Sequence, residues 1–223
     1  MKIIVTEKTD AAIQRAIDTA AEAGGGKIIL EPGVYLSGTI RLRSNIELHI
    51  PAGAKIQGHD KPELYDDFEH PAGVYPENSK KALLVCADAE NVSVTGKGEI
   101  NGAGPAFYDT NVAPDEFFAK PPHPRPRMVQ FSKCRNVLFE GVSFVDSPGW
   151  TFFLSECEDI NISRIRIDGC QRMINNDGID IDSCKRVTVS DSFFRTGDDC
   201  LILRAIRKDK TTSAICEQRT QNS

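Results

Sequence analysis

The chain has 223 residues and a mass of 24.5 kDa, with 40% apolar residues, a net charge of −5 and a pI near 5.5. That suffices for one sizeable domain with a real core, and the acidic balance excludes a general nucleic-acid binder, which needs a basic footprint. No stretch approaches the roughly 20 apolar residues of a membrane span. The apolar run Ile3-Ile4-Val5 is too short for the core of a signal peptide. The expected location is therefore cytoplasmic for the sequence as it stands, and secreted or periplasmic if a leader has been trimmed. Seven cysteines occur without a Cys-x-x-Cys pair, so a zinc site has no support and the thiols read as small buried residues.

From Asp10 to Ala23 the sequence predicts a helix, with Asp10 as N-cap and Ile13, Ala16, Ile17 and Ala20 as its apolar stripe. Gly24-Gly25-Gly26 ends it. The period then changes from 3.6 to 2. Lys27–Leu30, Val34–Ile40 and Asn45–Ile50 predict short strands, punctuated by Pro32-Gly33 and Pro51-Ala52-Gly53. Irregular stretches over about 58–78 and 103–126 predict long loops leaving a regular scaffold, where binding sites often form.

Past residue 130 a repeat emerges. Cys134-Arg135-Asn136-Val137, Cys157-Glu158-Asp159-Ile160 and Cys184-Lys185-Arg186-Val187 align at steps of 23 and 27 residues, and Asn91-Val92-Ser93-Val94 is an earlier copy. Short strands at this period, without helices, predict a parallel β-helix in which each coil buries its inward row on its neighbours. The helix near the N-terminus then covers the open end of the apolar column. The whole of 1–223 reads as one such domain, with a cap over about 1–26. At the other end, Cys216 opens a fifth copy, Arg219 takes the apolar slot and the alternation fails. This reads as a chain cut or altered within a coil, or as a tail wrapping the last coil. An uncovered last coil predicts self-association.

The chemistry concentrates in Asn175-Asn176-Asp177-Gly178 and Gly197-Asp198-Asp199-Cys200, with Asp198 a step of 21 residues after Asp177. One coil has about that length, so the segments can lie side by side. Ile179 and Ile181 then face inward, while Asp180 and Asp182 face outward. Single Asp-Gly pairs are usually turns that cap their own backbone; a doubled Asp at one-coil spacing is not explained that way. Carboxylates held together resist ionising together, so one keeps its proton. An acid beside an ionised base is what cleavage of a glycosidic bond requires.

These motifs resemble glycoside hydrolase family 28, the polygalacturonase and rhamnogalacturonase group. The resemblance extends to Gly24-Gly25-Gly26, Leu36-Ser37-Gly38, Gly96-Lys97-Gly98-Glu99-Ile100-Asn101-Gly102, Arg125-Pro126-Arg127 and Ser147-Pro148-Gly149-Trp150. It implies an all-β fold, a right-handed single-stranded parallel β-helix, and hydrolysis with inversion. By motif position it implies Asp198 as general acid, Asp177 and Asp199 as the pair that holds the attacking water, and Asn175 as a residue orienting that pair. It implies no cofactor and no metal, and an acidic plant cell-wall polysaccharide such as polygalacturonan, pectin or rhamnogalacturonan as substrate. The family pattern continues with Gly-His-Gly and Arg-x-Lys on later coils, and neither occurs among the 223 residues.

Weaker candidates remain. Arg204 is either a cation near the cleft, touching substrate, or a solvated surface arginine. His123, with Arg125 and Arg127, either reaches a sugar carboxylate or sits in a structural proline-rich loop. Trp150 either stacks on a sugar or packs in a turn. Arg207, Lys208 and Lys210 read as a solvated charge run. A polysaccharide lyase and a non-catalytic carbohydrate-binding β-helix are the competing functions.

Overall fold

A computed structural model describes residues 1–69 and 79–205. Its strands form three parallel sheets, visited in turn by each coil. Sheet 1 has seven strands: Lys2–Val5, Gly26–Leu30, Ile46–Ile50, Glu90–Gly96, Arg135–Glu140, Glu158–Ser163 and Lys185–Ser190. Sheet 2 runs from Gly33–Ser37 through Ala54–Gly58, Glu99–Asn101, Ser143–Val145 and Arg166–Asp168 to Phe193–Arg195. Sheet 3 runs from Ile40–Arg41 through Ala82–Ala87, Arg127–Ser132, Phe152–Ser155 and Ile179–Asp182 to Leu201–Arg204. This is the expected parallel β-helix, right-handed as parallel crossovers are.

Stacking identical rows explains the repeat. One inward column reads Ile28, Leu48, Val94, Phe139, Ile162 and Val189 in ladder register. Phe131, Phe139, Phe144 and Phe152 thicken its middle, with ring centroids 4.6–6.3 Å apart. The aligned cysteines stack as well: the Cys134 amide donates to Cys157 Sγ and the Cys157 amide to Cys184 Sγ, both at 3.3 Å. Beside them Asn45, Asn91, Asn136, Asp159 and Arg186 each take a left-handed backbone that turns the coil into sheet 1. The first three link by side-chain amides at 2.7 and 2.8 Å.

The helix spans Asp10–Glu22 and buries Ala12, Ile13, Ala16, Ile17 and Ala20 on the open end of the column, as expected. Its N-cap is Thr9, not Asp10: Thr9 Oγ1 accepts from the Ala12 amide at 3.2 Å. Asp10 instead opens the first turn and accepts from the Gly38 amide at 3.0 Å. The expected cap region also holds a strand, Lys2–Val5, paired in parallel with Lys27–Leu30; four residues carry too little alternation to be read alone. The single strand expected over Val34–Ile40 is two, because the chain turns a corner at Gly38, where a side chain would collide with the Leu64 carbonyl.

The loop over 103–126 folds back on the coil, burying Phe107, Tyr108 and Phe118, with an antiparallel bridge between Asp109 and Ala119. His70 and part of the loop expected over 58–78 lie outside the described residues. So do Arg207, Lys208, Lys210, Cys216 and the fifth repeat copy. In the last described strand, Leu201 and Leu203 continue the inward row of Ile179 and Ile181 but are 46% and 61% exposed. Among the described residues no helix is long and apolar enough to cross a membrane.

Candidate active site

Asp177 ends a turn that leads into the sheet 3 strand Ile179–Asp182; Asp198 and Asp199 end the corresponding turn one coil on. Backbone pairing matches Ile179 with Leu201, a step of one residue more than the 21 between Asp177 and Asp198, so Asp177 lies opposite Asp199. The Gly178 amide donates to the Asp199 carbonyl at 2.8 Å and locks this register. Gly178 must be glycine because a side chain there would strike the Cys200 carbonyl; at Gly197 it would strike the Met173 carbonyl. The two turns can therefore approach until one oxygen from each of Asp177, Asp198 and Asp199 lies within 4.8 Å of the others.

The neighbouring asparagines hold the first turn by different means. Asn176 is buried, and its amide donates to the Ser147 carbonyl at 2.6 Å. Asn175 adopts a left-handed backbone, φ 54°, and its Oδ1 accepts from Arg125 Nη2 at 3.2 Å. Arg125 is itself buried. It donates to the Ile174 carbonyl at 2.9 Å and to the Tyr108 hydroxyl, which in turn bonds the Pro148 and Ile174 carbonyls. The long loop thus braces the site from outside the solenoid.

The environments of the three acids differ. Asp198 and Asp199 are exposed, and Asp198 Oδ1 accepts from the Asp199 amide at 3.1 Å. Asp177 is 5% exposed, and its Oδ1 has no partner among the described residues. Burial first, then the charges of Asp198 and Asp199, push the Asp177 carboxyl up to about 7, against a smaller opposing pull from Arg204. Near neutral pH the buried Asp177 is thus the acid that holds its proton against the charges beside it.

Beneath the trio, Asp180 and Asp182 lie on the outward side of their strand, as alternation predicts, yet both are fully buried. Arg204, on the next coil, forms an ion pair with Asp180 and lies over the Trp150 ring at 4.4 Å. Burial and the Asp177 charge push Asp180 up to about 7 as well, with Arg204 and Arg127 opposing. Of the candidate substrate contacts, Asn175 therefore adjoins the trio and Arg204 is engaged with Asp180. His123 is exposed, with its ring 6.3 Å from Phe107. Sequence reasoning missed Asp180 and Asn176 as members of the site, and placed Arg125 in a loop whose bracing role only its hydrogen bonds disclose. Arg127 and Trp150 line a small cavity of about 20 Å³ close by. A groove of about 910 Å³ lies on the outer face of sheet 1, lined by residues such as Glu47, His49 and Thr95, away from these acids.

A solenoid with acids converging from adjacent coils is the architecture of a carbohydrate-active β-helix. The chain belongs to glycosyl hydrolases family 28, whose pattern it matches over residues 31–218. It is 26% identical over 212 residues to an endo-polygalacturonase of Pectobacterium carotovorum subsp. carotovorum, covering 91% of this chain and 53% of that protein. A probable polygalacturonase of Arabidopsis thaliana is 30% identical over 126 residues, covering 56% of this chain and 25% of that protein. The crystal structure of a hyperthermoactive exopolygalacturonase from Thermotoga maritima superposes with a TM-score of 0.75 at 29% identity, covering 90% of this chain and 54% of that one. The chain thus spans about half the length of these relatives, or less.

Proposed function

We propose that this protein is a glycoside hydrolase that cleaves α-linked galacturonic acid polysaccharide by an inverting acid/base mechanism. The observation that carries this reading is the convergence of Asp177, Asp198 and Asp199 from two coils, with one acid buried and two exposed. Asp198 protonates the leaving oxygen, and Asp177 and Asp199 hold and activate water, as their motif positions suggest. Asn175 and His123 are the proposed sugar contacts. In a site of two acids, oxygens this close would favour retention, because inverting pairs commonly stand about 6.5–9.5 Å apart to admit a water. Three acids allow another division: two hold the water beside them and the third carries the proton, so no water need fit between acid and base.

The high proton affinity of Asp177 supports a second assignment, in which Asp177 carries the proton and Asp198 serves the water. Substrates with good and poor leaving groups separate the two. The variant lacking the acid keeps turnover on a leaving group that needs no protonation, whereas the variant lacking the base loses both. For the function itself, the chain is incubated with polygalacturonate. New reducing ends support hydrolysis. An unsaturated, ultraviolet-absorbing end that vanishes with a chelator means a lyase using the acids as cation ligands. Binding without either product means a carbohydrate-binding chain. Self-association through the last coil is also proposed, supported by the exposed Leu201 and Leu203; a concentration-independent monomer mass by light scattering would count against it.

A further inference from the structure

We propose that Asp180 and Arg204 form a positioning pair that sets the charge environment of Asp177, three residues before Asp180 on the chain, and that Arg204 serves this pair instead of gripping the sugar. The proposal rests on the hydrolase reading above for its kinetic consequences, though not for its electrostatic ones. Asp180 is fully buried, with one oxygen paired to Arg204 and the other without a partner among the described residues. Arg204 lies on the rung of Asp182 and reaches diagonally back to Asp180. Its plane is set by Trp150, whose ring also has Arg127 at 5.4 Å. Arg127 in turn is tied to the Ser79 carbonyl and Gln130 Oε1, both at 2.9 Å.

An arginine that captures a carboxylate presents its fork of donors outward to the ligand. Arg204 has turned its fork inward: one terminal nitrogen serves Asp180, and Nε is buried without a partner among the described residues. The charges around it decide its effect. Asp177 faces Asp198 and Asp199 from the neighbouring turn and Asp180 from its own strand. Asp182, on the same strand, accepts from the Ser183 hydroxyl at 2.8 Å. Arg204 opposes this negative charge at both Asp177 and Asp180, while Arg127 acts on Asp180. A neutral side chain at 204 therefore makes Asp177 harder to ionise.

The test follows the Asp177 carboxyl carbon by NMR titration in the full chain, alongside kcat and KM on polygalacturonate as functions of pH. Arg204→Gln is expected to move the Asp177 titration upward by about one pH unit, a tenfold change in its ionisation constant. The acid limb of kcat should follow, KM should change less than about threefold, and Arg204→Lys should recover most of the shift. Asp180→Asn removes a negative neighbour and should move Asp177 downward, so the sign of the shift is checked twice and the second variant serves if the first fails to fold. An unmoved Asp177 in either folded variant overturns the pair, as does a KM raised tenfold or more with the titration unchanged, which would return Arg204 to the substrate. If the parent chain shows no turnover, the hydrolase reading fails alone and the titration still decides the pair.

Discussion

The outward faces of sheets 1 and 3 both carry ion pairs, and they do different things with them. On sheet 1, Lys185 pairs with Glu158 at 2.8 Å and Arg186 with Asp159 at 2.5 Å, with 34–67% of each side chain in water. Such pairs gain little, because solvent screens them and ordering long side chains costs entropy. On sheet 3, Asp180 has no exposure and its partner Arg204 has 24%. There the charge has been taken out of water, so the geometry of its one partner controls whether it is ionised at all. One repeating backbone thus yields a solubilising surface on one side and an electrostatically tuned one on the other; covering groups such as Trp150 and Arg127 make the difference.

The comparison breaks most visibly at the trio. Asp198→Asn should lower hydrolysis about 10²–10⁴-fold with an unchanged urea midpoint, read by release of reducing ends; equal activity would remove Asp198 from the reaction. Next, Arg204→Ala should cost about 2–4 kcal/mol at pH 8, where Asp180 must either stay ionised without its partner or bind a proton against the pH, and much less at pH 5, where it already holds a proton. Urea unfolding at the two pH values checks this, and an equal cost at both would show that packing alone is lost.

Asp177→Asn should be smaller and of opposite sign. The folded carboxyl titrates near 7, above its ordinary range, so the fold keeps a proton that the unfolded chain releases. The stability this represents is complete below the unfolded pKa and is lost as pH rises towards 7. The amide should therefore stabilise the protein by about 1–2 kcal/mol at pH 8 and give no gain near pH 4, a difference of a few degrees in Tm. Smallest of all, Arg186→Ala on sheet 1 should barely move the urea midpoint, and move it less in high salt. A cost as large as that at Arg204 would erase the contrast between the two faces.

Much of this was legible beforehand. The stacked Cys134, Cys157 and Cys184, and the alternation after each, disclosed the coil because an inward row repeats wherever coils bury one another. Asp177, Asp198 and Asp199 were legible because glycines flank them at one-coil spacing. The outward row was not. Alternation told that Asp180 faces away from the core, but whether an outward residue meets water depends on what the next coil and the long loop lay over it. Arg204 is one residue among many basic ones in sequence; only its stacking on Trp150 and its pairing with Asp180 set it apart. Lys2–Val5 hid for a different reason, since its partner strand, not its own four residues, makes it a strand.

The stereochemistry of cleavage tests the three-acid division most directly. Proton NMR of polygalacturonate during the first moments of hydrolysis identifies the anomer released before mutarotation. The α-linked polymer should yield the β anomer first, in a reaction abolished by Asp198→Asn. An α anomer appearing first would mean that the closely spaced carboxylates act as nucleophile and acid, and would contradict the placing of water by Asp177 and Asp199.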